Sequence, residues 1–151
     1  MDKIGFWGVK DTYGVFSNWY KCKFIYNNIE FCSSEQALMY NKAILFNDYN
    51  IADLILNTTN QKEIKALGRK VSNFNPSIWA NERYQLMINI LYCKFSQNED
   101  LKNLLVNTKD AEIYEASPSD NIWGIGSKDV NIIKGTNLLG KALMEVRNKL
   151  K

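Results

Sequence analysis

Apolar positions alternate with a period of two in a few short stretches and with a period near 3.6 over most of the chain. Residues 3–7 and 23–31 show the strand pattern. In the second stretch Phe24-Ile25-Tyr26 and Ile29-Glu30-Phe31 flank Asn27-Asn28, a pair that tolerates the positive φ of a tight hairpin turn. Ser33-Ser34-Glu35-Gln36 is a capping box, and the helix it opens runs to about Phe46. Residues 48–56 and 60–70 predict two short helices, with Gly68 near the end of the second. The longest helical pattern spans 77–96, where Ile78, Tyr84, Met87, Ile88, Leu91, Tyr92 and Phe95 recur on one stripe. A further helix covers Asn98 to Val106, and a strand covers Ala111 to Ala116. Residues 117–134 read as a loop punctuated by Pro118, Gly124 and Gly126, and an amphipathic helix runs from Gly135 to Leu150. The sum predicts a mainly helical α+β fold with a small β-sheet. At 151 residues it predicts a single domain over 1–151.

Composition narrows the chemistry. The chain has no histidine. Ser-His-Asp triads, Cys-His dyads and His-ligated metal sites are therefore excluded, and acid–base work falls to Asp, Glu, Lys, Tyr or Cys. Cys22, Cys32 and Cys93 are odd in number and form no CxxC, which predicts neither disulfide framework nor zinc site. No metal and no cofactor is expected. The cysteine usage, an N-terminus with no signal-peptide stretch and the lack of a membrane-length apolar run predict a soluble cytoplasmic protein. Net charge is +3, which tolerates a phosphate-bearing partner without demanding one. Of the 19 basic residues only Arg69, Arg83 and Arg147 are arginines, a bias that an AT-rich coding genome explains. An arginine that persists under that bias is a candidate for what lysine cannot do, such as bidentate binding of phosphate or carboxylate.

Four segments combine polar, aromatic and glycine residues: 16–20 (FSNWY), 33–43 (SSEQALMYNKA), 67–79 (LGRKVSNFNPSIW) and 115–126 (EASPSDNIWGIG). Glu35 and Lys42 are seven residues apart, so on a helix both project from nearly one stripe, ~10 Å apart along the axis. Leu38 and Met39 lie between them, so that side faces a core and a charge there must be paired or functional. Two plainer readings stay open: a first-turn glutamate complementing the helix dipole, and a lysine snorkelling to solvent. In the fourth segment Asp120 precedes Trp123 by three residues, and Gly124 and Gly126 permit close backbone approach. The pair suits a stacking face with a base beside it, and equally a capped turn with a core tryptophan. Arg69, at a helix end, suits a phosphate or the last-turn carbonyls. Trp79 suits stacking or core packing, and Asn18 and Tyr20 suit ligand binding or a fixed turn. Cys93 and its neighbours read as core. No Walker A or GxGxxG fingerprint is present.

Read together, the segments resemble the NADAR (YbiA-like) family. The resemblance rests on F-S-N-W-Y (16–20), S-E-Q-A-L-M-Y-N-K-A (34–43), L-G-R (67–69), Trp79, K-F-S-Q-N (94–98), L-L-V-N-T (104–108), E-A-S-P-S-D-N-I-W-G-I-G (115–126) and N-L-L-G-K-A-L-M-E-V-R (137–147). Each piece is short, but their order over nearly the whole chain is jointly specific. Gln36 stands where the family often has histidine. The resemblance implies N-glycosidase chemistry on ribosylated amines. Some members act on phosphoribosylamino-pyrimidine intermediates of riboflavin synthesis. Others remove ADP-ribose from guanine, reversing toxins that modify nucleic acid. By position it implies functional roles for Glu35, Trp79, Asp120 and Trp123, with Lys42 matching the lysine of the second motif.

In both substrate types the anomeric carbon carries an exocyclic amine, so the sugar can ring-open to an imine and exchange with an amine nucleophile. The expected catalytic set is Glu35, Lys42 and Asp120, and the expected substrate-binding set is Asn18, Tyr20, Arg69, Trp79, Ser117, Trp123 and Gly124. Direct displacement by carboxylate-activated water is the competing mechanism. The leading expected substrate is ADP-ribosylated guanine, in single-stranded DNA or RNA or as a nucleotide; a riboflavin intermediate is the alternative. A non-catalytic ADP-ribose-binding module is the second alternative. No membrane partner is expected, and a monomer is favoured.

Overall fold

The computed structural model describes residues 2–151. The fold is mainly helical α+β: among the described residues six helices, α1 (Ser34–Leu45), α2 (Tyr49–Leu56), α3 (Gln61–Gly68), α4 (Pro76–Ser96), α5 (Glu99–Val106) and α6 (Leu138–Leu150), accompany four short strands. The strands are β1 (Lys3–Phe6), β2 (Phe24–Tyr26), β3 (Ile29–Phe31) and β4 (Glu112–Glu115). They form two two-stranded sheets rather than the one expected. The chain gathers into two compact units, Lys21–Lys94 and Met1–Tyr20 with Phe95–Lys151.

In the Lys21–Lys94 unit, β2 and β3 pair antiparallel with Phe24 opposite Phe31. Asn27 and Asn28 turn the hairpin at φ 51° and 66°, the two successive positive angles the Asn-Asn pair predicts. Helix α1 packs on β3, α2 and α3. Ser33 caps it, its Oγ accepting the Gln36 N–H at 3.1 Å. The Gln36 side chain reaches one residue further back than a capping box requires. Its Oε1 accepts the Cys32 N–H at 2.8 Å, and its Nε2 donates to the carbonyls of Ile55 at 3.1 Å and Thr58 at 2.9 Å. One buried amide thus ties the start of α1 to the end of α2. Gln36→Ala leaves the partly buried Cys32 N–H without that acceptor and two carbonyls without their donor, which should cost about 1–3 kcal/mol. A urea denaturation curve reads this directly, and an unmoved midpoint would show that the amide is not a clasp.

Asp48 anchors the far end of the same group. Its Oδ1 caps α2 by accepting the Ile51 N–H at 3.1 Å, while Oδ2 accepts the Ser72 N–H at 2.8 Å. The loop after α3 is thereby held to the start of α2. On α4 the buried residues are Trp79, Met87, Ile88, Ile90, Leu91, Lys94 and Phe95. Ile78 and Tyr92, expected on the buried stripe, are instead 45% and 43% exposed. The buried stripe is rotated toward Trp79 and Lys94, because Lys94 takes a core position that hydrophobicity alone assigns to its neighbours.

In the other unit, β1 runs parallel to β4, Lys3 opposite Glu112 through Phe6 opposite Glu115. Helix α6 packs on β4 and α5. Phe16 meets Phe6 and Phe95 edge-on, at ring separations of 5.8 and 5.9 Å. Helix α6 begins at Leu138, three residues later than expected. The preceding residues are drawn along the 121–125 loop: Gly135, Thr136 and Asn137 donate their N–H groups to Ile125, Asn121 and Gly124. Asn137, left-handed at φ 56°, accepts the Glu115 N–H on its Oδ1 at 3.0 Å and donates Nδ2 to the Ile113 carbonyl at 2.9 Å. Its side chain thus serves as an extra edge for β4. Arg147 is buried beneath the turn after α5, with Nη1 donating to Thr108 Oγ1 at 2.9 Å and the Ala111 carbonyl at 2.8 Å.

Candidate functional site

Four of the expected site residues, Glu35, Lys42, Arg69 and Trp79, come together in the Lys21–Lys94 unit, and Lys42 is their centre. It lies in the last turns of α1. Its Nζ donates to the Gly68 carbonyl at 2.9 Å instead of reaching for solvent. The ammonium sits 4.7 Å from the ring centre of Phe74 and 5.7 Å from that of Trp79. Burial among these groups holds the amine below its ordinary 10.5; the Glu35 carboxylate opposes the shift and Arg69 reinforces it. A lysine with lowered proton affinity, half-buried and facing aromatic surface, is the environment in which an amine becomes a nucleophile.

Local sequence sets this geometry. Gly68 ends α3, and a Cβ there would collide with Met39 Sδ, so glycine lets α3 lie close against α1. That approach brings the Gly68 carbonyl to Lys42. Arg69 follows as the C-cap of α3 with its side chain exposed. The loop held by Asp48 then delivers Phe74, 43% exposed, whose ring meets Phe46 edge-on at 5.4 Å. Asn75 caps the start of α4 by accepting the N–H groups of Ser77 and Ile78 at 3.0 and 3.2 Å. Trp79 lies in that first turn, 7% exposed. Its burial matches the core reading, and its ring also lies against the Lys42 ammonium. Glu35, in the first turn of α1, is 9% exposed.

The other expected residues lie in the second unit, on two segments. Asn18 is buried and Tyr20 half-buried, just beyond the short 3-10 turn Gly14–Phe16. Ser117, Asp120, Trp123 and Gly124 lie in the loop after β4. Asp120 Oδ1 accepts the N–H groups of Ile122 and Trp123, both at 2.9 Å, so this carboxylate shapes the turn that holds Trp123 half-buried. Ser117 is buried. Gly124 is buried too, and a Cβ there would meet the Asp120 and Glu115 carbonyl oxygens at 2.9 Å. The loop's own packing therefore accounts for that glycine.

Two side chains escaped the sequence reading. Phe74 was not singled out, although it forms the nearest aromatic contact of Lys42. Lys94 enters the sequence reading only as the first residue of the K-F-S-Q-N piece (94–98) of the resemblance. It is fully buried in the last turn of α4, and desolvation lowers it to about 8 against the opposing influence of the Cys22 thiol. The negative end of the helix complements a cation there. Burial pushes the Cys22 and Cys93 thiols up, away from nucleophilic thiolate. Cys93 itself is only half-buried, less enclosed than a core position predicts.

Comparison with known proteins gives a consistent picture. The model of a family described as the NADAR domain matches residues 5–151. An N-glycosidase of Acanthamoeba polyphaga mimivirus is 43% identical over 147 residues, 89% of this chain and 86% of the relative. A riboflavin biosynthesis protein of Vibrio vulnificus is 30% identical over 97% of this chain and 38% of its own length. The NMR structure of the Escherichia coli protein YbiA superposes with a TM-score of 0.85 at 30% identity, covering 99% of this chain and 84% of that one. No helix among the described residues is long and apolar enough to cross a membrane.

Proposed function

The chain belongs to the NADAR domain family, and from that premise we propose that it is an N-glycosidase that hydrolyses the bond between ribose C1 and an exocyclic amine. The observation that carries the reading is the Lys42 amine, half-buried against Phe74 and Trp79 with the Glu35 carboxylate on the same helix. The relatives named N-glycosidases support the reaction class.

The chemistry proceeds through the lysine. The glycosylamine ring-opens to an imine at C1. Neutral Lys42 adds to C1 and the C1–N bond to the leaving base breaks, the base departing as a free amine with the proton that Lys42 gives up. Water then adds to the resulting Lys42–C1 imine, the lysine leaves, and the released aldehyde recloses to the sugar. The sum is consumption of one water, with Lys42 regenerated. Glu35 carries protons to and from the ring oxygen and leaving nitrogen. Asp120 is proposed as a second proton carrier, and Asn18, Tyr20, Ser117, Trp123 and Gly124 as substrate contacts, each on its own residue type.

The leading substrate is ADP-ribose on the amino group of guanine, a base that must be unstacked to react. A phosphoribosylamino-pyrimidine is the second reading, favoured by the Vibrio relative named for riboflavin biosynthesis. The test incubates the protein with an ADP-ribosylated guanine oligonucleotide and, separately, with the ribosylamino-pyrimidine phosphate. Release of ADP-ribose supports the first and release of ribose phosphate the second. Release from neither, with ADP-ribose still bound, would make the protein a binding module.

A pH prediction follows from the charges around Lys42. Arg69 pushes the amine's proton affinity down. Arg69→Gln should therefore raise it and move the acidic limb of kcat/KM to higher pH. A limb that stays in place would detach Arg69 from the nucleophile. Added salt should shrink the wild-type difference, because Arg69 is exposed and screened.

A further inference from the structure

The three arginines have different surroundings. Arg147 is used by the fold, and Arg69 is exposed at the end of α3. Arg83 is neither: it is partly buried on α4, and its Nε is fully enclosed without a hydrogen-bond partner. Among the described residues no carboxylate pairs with it. An unpaired, partly desolvated charge is unfavourable. Fold stability alone would favour an apolar side chain or a paired charge there.

Its place on the helix says what it is for. Arg83 follows Trp79 by four residues, so the two project from one face, one turn apart. Helical side chains lean toward the helix N-terminus, which aims the guanidinium at the level of Trp79. Trp79 is the ring that lies 5.7 Å from the Lys42 amine. Arg83 thus stands one helical turn from Trp79, on the same face of the helix that carries that ring. The outer guanidinium nitrogens are not enclosed as Nε is, and a planar cation one turn from Trp79 is complementary to phosphate oxygens attached to a ribose whose C1 is to meet Lys42.

We propose that Arg83 is the phosphate-binding residue of this site, taking oxygens of the sugar's 5′-phosphate or diphosphate. The proposal rests on the N-glycosidase reading for the identity of the sugar, but not for the binding of phosphate itself.

The test uses the full chain, wild type, Arg83→Gln and Arg83→Lys, with two probes, sodium pyrophosphate and ADP-ribose. Binding is read by tryptophan fluorescence, and the melting temperature of each ligand-free protein is recorded. Wild type is expected to bind both probes. Arg83→Gln should weaken both by at least about tenfold, and Arg83→Lys should recover only part because the fork is lost. The ligand-free Arg83→Gln protein should melt no lower than wild type, since a partly buried cation with an unpartnered Nε has been removed; a purely structural arginine would instead lower the melting temperature. Equal binding by wild type and Arg83→Gln would overturn the assignment while leaving the glycosidase reading intact. Pyrophosphate bound in an Arg83-dependent way with ADP-ribose ignored would keep the assignment and sink the ADP-ribose reading. No binding of either probe by wild type would overturn the phosphate site.

Discussion

Lys42→Met is expected to lower turnover on the order of 10³-fold or more while the protein stays folded. The reaction as proposed has no path around an amine at this position, because the covalent exchange at C1 requires a nitrogen lone pair. The methionine chain can still lie over Phe74 and Trp79, so the aromatic packing survives, and the loss to the fold is one hydrogen bond to the Gly68 carbonyl, about 1 kcal/mol. Lys42→Arg separates charge from nucleophilicity. It keeps a cation against the same rings but cannot become neutral in the working pH range, so it too should be inactive. If Lys42→Arg instead kept near wild-type turnover, the lysine would be only an electrostatic element, and the direct attack of water would replace the covalent route.

Glu35→Gln is expected to cost 10²–10⁴-fold in kcat, the usual worth of a positioned proton carrier. The substitution keeps the shape of a residue that is only 9% exposed, and a melting temperature recorded beside kcat separates a catalytic loss from a lost fold. It has a second signature. Glu35 raises the proton affinity of Lys42, so removing its charge lowers that affinity further. More of the lysine is then neutral at low pH, and the acidic limb of the residual activity should move to lower pH. This is opposite to the shift expected for Arg69→Gln. A variant whose kcat falls with no movement of the limb would place Glu35 away from the amine. A variant with unchanged kcat would return it to the plainer role of first-turn acid at a helix dipole.

What could be read from the sequence was local. The Asn27-Asn28 hairpin, the Ser33 cap and the helices from α1 to α5 each carry their signal within a few residues. The parallel pairing of β1 with β4 does not, because more than 100 residues separate the partners and no turn chemistry links them. The start of α6 was misplaced for a similar reason: Asn137 is held left-handed by β4, not by its neighbours. In the site, spacing placed Glu35 and Lys42 on one stripe but could not choose between a snorkelling lysine and a buried one. That choice is made by the Gly68 carbonyl and by Phe74, both brought in by other segments. Asp120 shows the opposite limit. Its capping and chemical readings looked exclusive in the sequence, yet Oδ1 alone accepts both turn hydrogen bonds. Arg83 was visible only as one of three arginines, because an unpaired charge can be recognised only once its surroundings are known.

A covalent bond between Lys42 and the sugar can be caught by reductive trapping. The protein is mixed with the ADP-ribosylated guanine oligonucleotide in the presence of borohydride, digested, and read by mass spectrometry, with the ribosylamino-pyrimidine phosphate run in parallel. One of the two substrates is expected to leave a reduced sugar adduct on the peptide containing Lys42, absent in Lys42→Arg. Release of the base at the normal rate with no adduct on that peptide would contradict it.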